Sequence, residues 1–106
     1  NDFNTRVAST AALAFGRICS SNAAVHSVWN TLMFDENMAH VVTGFTIGLS
    51  HTDDTFREAC CSALLSMLDG PFRVKKNVFK GIIFESSVAS KNTDDPNYST
   101  LRSLFD

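Results

Sequence analysis

At 106 residues and 11.6 kDa the chain is sized for one compact domain, or one piece of a longer array, and this excludes two domains. Nine Lys and Arg against eleven Asp and Glu give a net charge of −2, which argues against general electrostatic binding of a nucleic-acid backbone or an anionic membrane. With 44% hydrophobic and 19% charged residues, the composition supports a folded core and excludes a wholly disordered chain.

The first 87 residues read as successive helices with short polar breaks and no proline before Pro71, so an all-α fold is expected. The first predicted helix runs from Asn4 or Thr5 to Cys19. Steps of 100° gather Val7, Ala8, Ala11, Ala12, Ala14, Phe15, Ile18 and Cys19 on one broad face, with Leu13 among the polar residues opposite. Ser20, Ser21 and Asn22 supply cap chemistry for a second helix over Ala23–Met33, whose inward stripe is Val25, Val28, Trp29 and Leu32. Asp35, Glu36 and Asn37 break the pattern. A third helix follows over Met38–Leu49, carrying Val41, Val42, Phe45, Ile47 and Leu49, and its β-branched content leaves a strand as the rival. Gly44 and Gly48 within it form a G-x-x-x-G that would let another helix approach its backbone.

Thr55 followed by Glu58 reads as a capping box opening a fourth helix that runs to Leu68, with Phe56, Ala59, Cys60, Ala63, Leu64, Met67 and Leu68 apolar. The preceding Asp53 and Asp54 complement the positive end of that helix rather than forming a catalytic pair. Asp69 and Gly70 end it, and Pro71 opens a fifth helix with Val74, Val78, Phe79, Ile82 and Ile83 facing inward. On that helix Arg73, Lys76 and Lys80 cluster into a basic stripe, which is either a solvated face or an edge that pairs with an acidic partner segment. Lys75 falls inside the apolar arc, so it snorkels or the helix begins later. Glu85–Asn97 has linker composition, and a short helix from Asp95 or Pro96 places Tyr98, Leu101, Leu104 and Phe105 on one stripe. The expected organisation is therefore a helical domain over 1–87, then a polar linker and short amphipathic C-terminal helix over 88–106.

A shift of 51 residues superposes Arg6, Ala8, Ala12 and Leu13 on Arg57, Ala59, Ala63 and Leu64, whereas a shift of 52 superposes the predicted inward faces; the facial register is the one expected from packing. The stretches from Thr5 to Gly16 and from Phe56 to Leu65 resemble the Ala-rich helices of armadillo and HEAT repeats, each with an Arg near its start. The separation exceeds the roughly 40–47 residues usual for such repeats, and three helices per unit would absorb the excess. The resemblance implies an α-solenoid segment of five to six helices, a stacked right-handed array that offers a groove to protein partners without catalysis.

Nucleophile elbows, phosphate-binding loops and paired catalytic carboxylates are absent from the sequence, so no enzyme activity is expected. His26, His40 and His51 have no His or Cys at metal-ligand spacing, and Cys60-Cys61 lacks the two-residue gap of a zinc grip, so neither metal nor cofactor is expected. Cys19, Cys60 and Cys61 cannot pair completely within one molecule, which suits a reducing, cytoplasmic setting. The 17-residue run Ile18–Phe34 lacks charge but is interrupted by Ser20, Ser21, Asn22, His26, Asn30 and Thr31, so no membrane span is expected. The chain starts at Asn1 without a secretory signal, consistent with a segment of a larger intracellular protein. Two roles follow as expectations: a noncatalytic scaffold segment that binds protein partners, or a self-contained adaptor of the death-fold kind that assembles by homotypic contacts.

Overall fold

The computed structural model describes residues 2–20, 31 and 34–106. Apart from Thr31, the second predicted helix, with His26 and the stripe Val25, Val28, Trp29 and Leu32, lies outside the described residues. The described residues form α1 (Asp2–Ser20), α2 (Asp35–Leu49), α3 (Asp54–Leu68), a 3-10 turn (Pro71–Lys75), α4 (Lys76–Ile83), α5 (Ser86–Lys91) and α6 (Pro96–Ser103), with no strand among them. The all-α expectation holds, and α2 is a helix despite its β-branched residues.

Several boundaries move for local reasons. Helix α2 begins at Asp35, because Asp35 and Glu36 stabilise its positive end and are the first turn rather than a break. Helix α3 is capped by Asp53, whose Oδ1 accepts from the Phe56 amide at 2.9 Å; no Thr55–Glu58 capping box forms, since α3 has already begun at Asp54. Gly70 keeps a negative φ of −105°, so α3 ends without the left-handed turn that a terminal glycine permits. Pro71 starts a 3-10 turn instead of an α-helix. Residues three apart eclipse one another in such a turn, so Lys75 falls on the side of fully buried Phe72 and Val74 swings outward. Val74 is consequently 72% and Val78 45% exposed, against the inward positions expected, while Phe79 and Ile83 are buried. Within the stretch of linker composition, Ser86–Lys91 forms α5 and buries Val88.

Helix α3 is the centre of the packing, seated against α1, α2, the 3-10 turn and α6. It is covered on several sides: Cys60, Cys61, Ala63 and Leu64 are all buried, and Ser62 between them is half-buried. Phe15, Phe45 and Phe79 extend the core outward as a chain of ring contacts, with centroids 6.3 Å apart between the first two and 6.1 Å between the last two, joining α1, α2 and α4. Aromatic pairs of this kind add roughly 0.5–1.5 kcal/mol beyond the area they bury.

Helices α1 and α3 run parallel. Thr5, Arg6 and Ser9 flank one hollow with Asp53 and Thr55, Gly16 lies over Ala63, and the Ser20 Cα approaches Gly70. The Gly16 approach is so close that a Cβ there would sit 2.7 Å from the Ala63 Cα and 2.9 Å from its carbonyl oxygen. Small residues are therefore what this interface selects, and they turn α1 away from the face expected. The covered positions are Ala8, Ser9, Ala12, Phe15, Gly16 and Cys19; Val7 is 53% and Ile18 47% exposed, and Ala11 and Ala14 are exposed as well. Ser9 is buried at no cost in hydrogen bonding, since its hydroxyl donates to the Thr5 carbonyl at 2.8 Å. In the 51-residue register covered Ala8, Ser9, Ala12 and Gly16 fall on buried Ala59, Cys60, Ala63 and Met67, but exposed Thr10, Leu13 and Arg17 fall on buried Cys61, Leu64 and Leu68. The 52-residue register pairs exposed Val7 and Ala11 with buried Ala59 and Ala63, but sets covered Ala8, Ser9, Ala12, Phe15 and Gly16 on buried Cys60, Cys61, Leu64, Met67 and Leu68, so burial selects neither register.

On the other side of α3 lies α6, capped by Asp95, whose Oδ1 accepts from the Asn97 amide at 2.9 Å. Asp95 stands 42 residues after Asp53, and each cap is followed three residues later by an aromatic, Phe56 or Tyr98. Tyr98 and Leu101 are buried, and the Tyr98 hydroxyl donates to the Ile83 carbonyl, so the C-terminal stripe docks on this domain. A second fastening is Asn92, 3% exposed, whose amide donates to the Leu49 carbonyl at 3.0 Å and the Val88 carbonyl at 2.9 Å. Its oxygen accepts from the Cys61 thiol at 3.6 Å.

Candidate interaction surfaces

The three basic residues singled out in the sequence differ in exposure. Arg73 is exposed on the 3-10 turn and Lys80 is exposed on α4, but Lys76 is half-buried between them. Its Nζ donates to the Leu104 carbonyl at 2.7 Å and stands 5.6 Å from the centre of the Phe105 ring. Lys76 therefore fastens the last residues to α4, and the cations it leaves on the outer surface are Arg73 and Lys80. Beside them are exposed Val74 and Val78, and Gly81, where an added Cβ would meet nothing within 4 Å. The 100° projection turns Val74 inward because it carries α-helical geometry back through the 3-10 turn.

A second surface is an apolar groove of about 430 Å³ between α1 and α2, with Ala11, Ala12 and Phe15 on one side, His40, Val41, Gly44 and Phe45 on the other, and Cys60 at its floor. The two glycines of α2 part company here. A Cβ at Gly48 would overlap the Cys60 Sγ, as the G-x-x-x-G reading requires, whereas Gly44 opens on empty space. The sequence signal for it is the run of small residues Ala11 and Ala12, expected on the inward face of α1.

A separate polar hollow at the start of α3 is lined by Asp54, Arg57, Glu58, Lys91, Asn92 and Asp95. Arg57 donates to the His51 carbonyl at 2.6 Å and pairs with Asp54, while Lys91 donates to the Ser50 carbonyl at 2.6 Å. His51 joins the same start: its Nδ1 accepts from the Asp53 amide at 3.0 Å and its ring meets Phe56 edge-on. Both cations are thereby committed to backbone oxygens around the loop between α2 and α3. Among the described residues no group of three or more His, Cys, Asp or Glu is arranged to hold a metal ion.

All three cysteines are buried and unpaired. Burial raises the Cys19 and Cys60 thiols from 9.0 to about 11. The Cys61 thiol is raised further, first by burial and then by the Asp95 carboxylate beside it. The protonated thiol is a poor nucleophile, so these side chains serve as small apolar residues at neutral pH. Burial likewise raises Tyr98.

No family model, curated protein or solved structure matches the chain. Among the described residues, no helix is long and apolar enough to cross a membrane.

Proposed function

We propose that the chain is a noncatalytic protein-interaction or scaffold segment, a short armadillo- or HEAT-like stack within a larger intracellular protein. The observation that carries this reading is the parallel, closely seated pair α1 and α3. A stacked array produces such pairs when each unit lays a corresponding helix on that of its neighbour. Helix α6, seated on the far side of α3 with the same Asp cap and aromatic 42 residues on, supports it. The exposed apolar residues Phe3, Val7 and Ile18 on the outer side of α1 suit a helix that accepts a further neighbour. Three buried, unpaired thiols suit the reducing cytoplasm.

The test is photocrosslinking from Val7 and Ile18 in the protein's native cell, where a scaffold yields discrete adducts with other proteins. The absence of protein adducts from both positions refutes the reading. The homotypic adaptor is supported by a different observation: the radius of gyration, 13.0 Å, matches a closed body of this length. Adducts formed only between copies, together with oligomers that grow with concentration, would select it.

A further inference from the structure

We infer that Arg73, Val74, Val78, Lys80 and Gly81 form a docking surface for an acidic amphipathic helix of a partner protein. This rests on the interaction reading and names the partner's chemistry. The first argument is charge. Between Asp69 and Glu85 the chain places four of its nine cations, Arg73, Lys75, Lys76 and Lys80, and no acidic residue, although its net charge is −2. A partner helix bearing Asp or Glu is the complement of that block, and Arg73 and Lys80 are the exposed cations available to it.

The second argument is the apolar pair. Val74 and Val78 are 72% and 45% exposed, and by 100° steps along α4 Gly81 lies between Val78 on one flank and Lys80 on the other. The third is Gly81. A glycine inside a helix is unfavourable relative to alanine, and the fold offers no reason for this one, since a Cβ would meet nothing within 4 Å. Gly16 and Gly48, by contrast, are each required by a close neighbour. A hollow at Gly81 next to a ridge at Val78 is the relief into which the ridge of another helix seats.

The probe is a fluorescent peptide with glutamates along one helical face and leucines at i, i+4 along the other, followed by anisotropy. Its counterpart with lysine in place of glutamate, and phosphatidylcholine vesicles containing phosphatidylserine, are run beside it. The glutamate peptide should bind at least about tenfold more tightly than the lysine peptide, and more weakly as salt rises. Gly81→Leu should weaken it about tenfold while leaving the thermal midpoint unchanged or raised, and Val74→Ser with Val78→Ser should weaken it similarly. Equal binding of the two peptides, or full binding to Gly81→Leu, overturns the assignment. Vesicle binding without peptide binding also overturns it, in favour of a lipid surface. Protein adducts at Val7 or Ile18 alongside either failure would leave the scaffold reading standing and remove only this surface.

Discussion

Replacing Gly16 with alanine probes the contact on which the architecture turns. A Cβ at Gly16 would stand 2.7 Å from the Ala63 Cα, and ordinary contact begins at 3.4 Å, so the α1 and α3 backbones must part locally by about 0.7 Å. Overpacking of this kind costs about 1–3 kcal/mol. Against it stands the gain of about 1 kcal/mol from removing a mid-helix glycine, leaving a net loss of about 0–2 kcal/mol. Gly44→Ala is the matched control: nothing lies within 4 Å, so the same change should stabilise by about 0.5–1 kcal/mol. Urea unfolding followed by circular dichroism reads both. Adding Ala63→Gly to Gly16→Ala should restore little, because the nearest obstacles are the Ala63 Cα and carbonyl oxygen, which glycine keeps. If Gly16→Ala proves as stabilising as Gly44→Ala, the close parallel pairing is refuted.

Asn92→Ala should cost about 2–3 kcal/mol in the same urea experiment, since it leaves the Leu49 carbonyl without its buried donor. Asp53→Ala should cost about 1 kcal/mol as a lost cap, with Thr55→Ala under about 0.5 kcal/mol; the reverse order would restore the capping box. Alkaline pH should destabilise the fold. Between 9.0 and about 11 the unfolded Cys19 and Cys60 thiols have lost their protons while the folded ones retain them, so the stability present below pH 9 falls as pH rises. The slope is on the order of 1 kcal/mol per pH unit for each thiol, read as a falling urea midpoint together with slow reaction of the native thiols with a disulfide reagent.

The sequence carried the all-helical class and the core of α3 because Ala59, Ala63, Leu64 and Met67 recur at helical spacing and are all buried. It also carried the docked α6, through Asp95, Tyr98 and Leu101. It misplaced Val7 and Ile18 because hydrophobicity favours a large side chain inside, whereas the α1–α3 contact admits only Gly16 and its small neighbours. Val74 escaped because the switch from 3-10 to α geometry at Lys76 leaves no mark in composition. The split of the basic stripe was equally hidden: only the position of the Leu104 carbonyl, 28 residues away along the chain, shows that Lys76 is spoken for. Asn92, polar and set among Ser, Lys and Asp, reads as linker until the Leu49 carbonyl is seen opposite it.

The Asn92 fastening also bears on how the molecule comes apart. Helix α5 has six residues, too few to persist alone in water, and the residue closing it bonds across 43 positions to the end of α2. Short-range order in α5 is therefore coupled to long-range closure, and the two should melt as one cooperative unit. Hydrogen exchange would register this directly, with the amides of Ala89 and Asn92, bonded to Glu85 and Val88, opening at the rate of α2 rather than fraying ahead of it.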